Sequence, residues 1–176
     1  MWCSDRRRLL ALSAAALAAG CGFAPVYGPG GAGRALQGRV AVPAPETRLG
    51  YHFTRRLEAR LGRADAPRYR LEAPLTVERE GLGTTADGRT TRYQLLGRAD
   101  WRLLPAAPGP ETELETERGG APLAEGRVRA FTGYSSTGSP LAARAAERDA
   151  EERLATLLAD RLVERLLMSD LGAAAP

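Results

Sequence analysis

The chain contains no lysine; all 25 of its Lys+Arg positions are arginine. A GC-rich coding bias produces such a set, and so does a need for planar guanidinium forks that grip phosphate or carboxylate through two bonds. There is one histidine, His52, and there are two cysteines, Cys3 and Cys21. So few imidazoles and thiols cannot assemble the His/Cys sets that hold zinc, and no nucleophile, base and orienting acid stand together as hydrolysis requires. His52 lies beside Arg55 and Arg56 on an expected helix and reads as a surface or packing residue. The Gly-rich "GLGTTADG" from Gly81 to Gly88 lacks the Gly-Lys-Ser/Thr ending of a phosphate loop, and no helical pattern follows it. It reads as the loop of a hairpin. No enzyme activity, metal or cofactor is therefore expected. Long apolar runs are missing too, since the stretch from Leu9 to Ala19 covers about half of a ~30 Å hydrocarbon core at about 1.5 Å per residue.

What is present begins with Arg6 to Arg8, the short apolar run and then small residues, the layout of a secretory signal. The run ends in "LAAGC", which places Ala19, Gly20 and Cys21 in the order of a bacterial lipobox, where the cysteine is lipidated and becomes the mature N-terminus. Ala18 stands where Leu is commonest in that motif, and a plain signal with an incidental Cys is the alternative. With Cys3 removed, Cys21 is the mature chain's single thiol, which excludes an internal disulfide and gives lipidation a purpose. Gly22, where an Asp would favour the inner membrane, points to the outer membrane and a periplasmic body. The expected layout is a signal over residues 1–20, a lipidated flexible tether over 21–35, one domain over 36–170 and a fraying tail over 171–176. Loss of Arg6, Arg7, Arg8 and Asp5 lowers the formal charge from +4 to +2. So mild an excess does not point to nucleic acid.

Periodicity supplies the fold. "LQGRVAV" reads as a short strand with Leu36, Gly38, Val40 and Val42 on one face. After Pro43 to Pro45, Leu49, Phe53, Leu57 and Leu61 recur every four residues and predict a helix that closes at Gly62. "RYRLEAPLTVE" places Tyr69, Leu71, Ala73, Leu75 and Val77 on one face; "RYQLLGRADWRL" does the same with Tyr93, Leu95, Gly97, Ala99, Trp101 and Leu103. Asp87-Gly88 between them is a hairpin signal, and Pro74 implies a bulge or an unpaired edge. "LAEGRVRAF" alternates more weakly, with Ala124, Gly126, Val128 and Ala130 inward. Ser139 as N-cap and Pro140 as first residue open a helix to about Met168, with Leu154, Leu157, Leu158, Leu162 and Leu166 as its apolar stripe. The class expected is α+β, a two-layer sandwich with two helices packed on one face of a four-stranded mixed sheet.

"CGFAPVYG" at Cys21, "DGRTTRYQL" from Asp87 and "AERDAEERLATLLADRLVERL" from Ala146, with this element order, resemble the LptE family of lipopolysaccharide-assembly lipoproteins. The resemblance covers nearly the whole mature chain, and the first and third stretches look most like alphaproteobacterial members. It implies a lipid-anchored protein on the periplasmic side of the outer membrane that plugs the LptD β-barrel and helps deliver lipopolysaccharide to the outer leaflet. Arg89 and Arg92 at the hairpin and Arg144 near the start of the second helix are the candidate lipopolysaccharide-binding residues. Some family members carry a basic residue just before the tip's Asn/Asp-Gly, where this chain has Ala86; Arg89 is the substitute. The same arginines read equally as solvated or paired with neighbouring Glu. An auxiliary periplasmic lipoprotein of a lipid-transport ABC system remains the alternative function.

Overall fold

A computed structural model describes residues 26–28, 31–42, 44–86, 88–106 and 121–169. In chain order its elements are α1 (Ala32–Leu36), β1 (Val40–Ala41), α2 (Arg48–Leu61), β2 (Tyr69–Glu72), β3 (Leu75–Thr84), β4 (Thr90–Pro105), β5 (Ala124–Ser135) and α3 (Pro140–Leu167). The sheet is built around β4, whose 16 residues span about 50 Å at roughly 3.3 Å each. β2 and β3 flank it antiparallel in one continuous register, Glu72 opposite Arg102 and Leu75 opposite Ala99. The interruption is chemical. Asp100 donates its N–H to the Pro74 carbonyl at 3.3 Å, and proline has no N–H with which to return the bond. β5 pairs antiparallel with the other side of β4 and β1 runs parallel to β2, so the sheet is mixed and has five strands, four across at the end where β2 lies.

Alternation decides the faces. Leu71, Leu95, Ala99, Trp101, Leu103, Val128 and Ala130 are buried on one side, and both longer helices cover that side. The Thr47 side chain caps α2 by accepting the Gly50 N–H at 3.0 Å, and Gly62 ends the helix at a φ of 79° that only glycine adopts without strain. Ser139 caps α3 by accepting the Ala142 N–H at 3.2 Å, with Pro140 as its first residue. Phe53, Leu57 and Leu61 of α2 join Leu154, Leu158, Leu162 and Leu166 of α3 in one core with the sheet. α3 sits so close to β4 that a Cβ on Gly97 would come within 2.9 Å of a Leu158 methyl and 3.0 Å of Leu154. Between the helices, Asp160 takes two bonds from Arg56, at 2.9 and 3.0 Å, and a third from Arg60 at 3.3 Å. The result is the two-layer α+β sandwich, its second sheet face left open among the described residues.

Several details differ from the sequence expectation. Leu36 is not in a strand: it closes the one-turn α1 and is fully buried. The first strand shrinks to Val40–Ala41 because Gly38, at φ 67°, turns the chain. Leu157 is 40% exposed; Ala150, Ala155, Ala159 and Val163 complete the buried stripe of α3 instead. β3 runs to Thr84, so the first half of the Gly-rich stretch is strand and the hairpin loop is short. Cys21 and the tail after residue 169 lie outside the described residues.

Candidate functional site

The open face is a lattice of side chains from alternate strand positions. Asp100 is its electrostatic centre. Arg98 lies 3.0 Å from one carboxylate oxygen, and the Arg127 guanidinium donates to the other. The hydrogen bond from Arg127, with the charges of Arg127, Arg98 and Arg129, holds the Asp100 carboxyl below the usual carboxylate range. Arg102 pairs with Glu125 at 3.5 Å and Arg70 with Glu72 at 3.1 Å. Much of the arginine on this face is thus committed to neighbouring acids. Apolar residues interrupt the polar phase at Leu96 and Leu104 on β4 and, opposite Leu96 on β5, at Phe131, which is 62% exposed.

At one end of the sheet the β3–β4 hairpin closes through Thr85, whose N–H and Oγ1 both donate to the Arg89 carbonyl. Gly88 adopts φ 74° there. The connection from β5 to α3 meets the same end, since Ser136 donates its N–H to the Thr91 carbonyl at 2.9 Å and its Oγ to that of Thr90 at 3.2 Å. Arg89, Arg92 and Arg144 therefore share one pole of the molecule. They do not form one constellation: Arg92 projects from the open face and Arg144 belongs to the helix layer. Behind the hairpin, Arg79 stacks 5.3 Å over Tyr93, Tyr93 stacks on Tyr134, and Arg79 and Tyr134 both bond Glu147 at 3.0 and 3.3 Å. Partial burial pushes the Tyr134 hydroxyl up. This cluster, which periodicity alone did not show, clamps the hairpin to the start of α3.

The long edge of β5 is guarded from the helix layer. Arg153 donates to the Gly133 carbonyl at 3.1 Å and Arg161 to that of Arg129, which occupies acceptors an added strand would use. His52 faces Glu152 at 3.6 Å and Tyr51 edge-on, a packing position. Among the described residues no three His, Cys, Asp or Glu side chains are gathered as metal ligands, and no helix is long and apolar enough to cross a membrane.

Comparison with known proteins places this architecture. The family model LptE, described as lipopolysaccharide-assembly, matches residues 37–166. A crystal structure of a lipoprotein from Caulobacter crescentus CB15 is 30% identical, with a TM-score of 0.59 over 82% of this chain and 98% of that one. Rare lipoprotein B from Shewanella oneidensis, at 13% identity, aligns over 78% of this chain and 98% of its own with a TM-score of 0.55. A minor lipoprotein from Acinetobacter baumannii, at 15% identity, aligns over 73% and 88% with a TM-score of 0.51. The last two share the fold alone. Among curated proteins none matches the sequence.

Proposed function

The chain belongs to the LptE family of lipopolysaccharide-assembly proteins, and on that premise we propose that it is a lipoprotein held through Cys21 on the periplasmic side of the outer membrane, where it plugs an LptD-like β-barrel and helps pass lipopolysaccharide to the outer leaflet. The observation that carries the reading is the family match over residues 37–166, which contains almost every described element. The surface supports it. A barrel lumen is polar and wet, and the open sheet face, a lattice of paired Arg, Asp and Glu, suits such a lining. Arg89, Arg92 and Arg144 are exposed at one pole, and we assign to them the phosphates or acidic sugars, which guanidiniums hold by charge-assisted hydrogen bonds.

Affinity purification of the tagged protein from native membranes tests this reading. The expected co-purifying species is an outer-membrane barrel whose electrophoretic mobility changes on heating. Recovery of an inner-membrane ABC transporter without such a barrel would overturn the plug role.

A further inference from the structure

On the open face, Leu96 stands opposite Phe131 and Arg98 opposite Arg129. Because the Asp100 N–H bonds toward the β3 side, the even-numbered residues of β4 direct their backbone groups away from β5. Both pairs are therefore non-hydrogen-bonded ones, in which facing Cα atoms are about 4.5 Å apart and side chains meet most closely. Two guanidiniums in that position repel and destabilise the sheet. Asp100 relieves Arg98 at 3.0 Å, whereas Arg129 has no ion-pair partner among the described residues. A third guanidinium adds to the excess: Arg161 crosses from α3 around the edge of β5 to bond the Arg129 carbonyl. These three arginines, with Leu96 and Phe131, line a groove of ≈ 350 Å³ whose one lining acid is Glu78.

We propose that this groove binds an anionic amphiphile, its phosphate or carboxylate held by Arg98, Arg129 and Arg161 and the first part of its acyl chain lying on Leu96 and Phe131. An anion between the facing guanidiniums converts repulsion into charge-assisted hydrogen bonds, which gain strength beside an apolar wall. The volume suits a headgroup and the beginning of a chain, within the range of small-molecule sites. Exposed Phe131 then has a partner. The groove is distinct from the hairpin pole, because Arg98 lies six residues along β4 from Arg92, about 20 Å at roughly 3.3 Å per residue. The inference rests on the lipopolysaccharide-assembly reading for the natural source of the ligand alone; the groove's chemistry stands without it.

Dodecyl phosphate, kept below its micelle concentration, is titrated calorimetrically into the Cys21→Ser protein, with inorganic phosphate and dodecyl maltoside as arms for head and chain alone. Dodecyl phosphate is expected to bind at least tenfold more tightly than either arm. Arg129→Gln and Phe131→Ser should each weaken it five-fold or more. The melting temperature of free Arg129→Gln should stay the same or rise, since the repulsion is gone, whereas an arginine kept for structure would lower it when lost. Unchanged binding by the Arg129→Gln/Phe131→Ser double variant, or inorganic phosphate binding as tightly as dodecyl phosphate, overturns the proposal. The titration contains neither barrel nor lipopolysaccharide, so its failure is separate from a failure of barrel capture.

Discussion

Trp101 and Arg98 lie three positions apart on one strand and face opposite layers, so the same truncation has different consequences at each. Trp101 is 4% exposed, with its ring against the backbone of Gly126. Trp101→Ala should cost roughly 3–5 kcal/mol through lost burial and the cavity left behind. Arg98→Ala, on the wet face, should cost far less, and equal losses of melting temperature in the two variants would contradict the strand phase. Asp100 adds a pH signature. Its folded-state pKa is depressed, foremost by the Arg127 hydrogen bond, so its contribution is present above the unfolded value near 3.9 and fades as pH falls through the lower folded value. The melting-temperature gap between wild type and Asp100→Asn should therefore be open at neutral pH and close in acid; a gap that widens in acid refutes the pairing. These faces were legible because polar and apolar residues alternate along most of β4, from Arg92 to Leu95 and from Gly97 to Leu103. Leu157 was misleading because three of the eight buried residues of α3 are alanine, which is too weakly apolar to set a helical phase. Phe131 and Leu96 broke the alternation, and that break was the one sequence signal for the groove.

Among elements, the hairpin and the two longer helices were readable because their signals are local: Asp87-Gly88, Pro43 to Pro45 before α2 with Gly62 after it, and Ser139-Pro140. α1 was not, since five residues are too few for a helical period, and β1 was read too long because it exists only through its parallel pairing with β2, a tertiary contact. The helix pair is held in part by Asp160, which bonds both Arg56 and Arg60. Its side chain is 24% exposed, so Asp160→Ala should cost about 1 kcal/mol once solvent screening is allowed for. Chemical denaturation reads this directly, and no loss at all would mean the clasp is only incidental. The guarded edge predicts an effect on association rather than on folding. Replacing Arg153 and Arg161 with Ala frees the Gly133 and Arg129 carbonyls along β5, and light scattering should then show concentration-dependent self-association absent from the wild type. A double variant that stays monomeric at the same concentrations would show that the arginines do not protect the edge.

The whole molecule has two poles. The hairpin tip, the end of β5 and the start of α3 form one, with Arg89, Arg92 and Arg144. At the other, the Ala106 N–H bonds the Arg68 carbonyl, the Arg68 N–H bonds that of Arg39, and the Gly38 N–H bonds that of Leu61. The N-terminal chain joins this second pole, because Val26 accepts the Gly33 N–H at 3.0 Å and the Tyr27 ring covers Gly33. Five residue steps separate Val26 from Cys21, at most about 18 Å of extended chain. If Cys21 carries the lipid, the second pole is held close to the bilayer and the arginine pole stands away from it by the length of the sheet. On the proposed function two independent attachments would then hold the protein, a lipid at one pole and the barrel along the body. Cys21→Ser removes only the first. In cells that contain the barrel, the variant should still fractionate with the outer membrane; in cells depleted of the barrel it should move to the soluble periplasm, while the wild type stays membrane-bound in both. A Cys21→Ser protein that remains in the membrane fraction without the barrel would mean that something other than this cysteine anchors the chain.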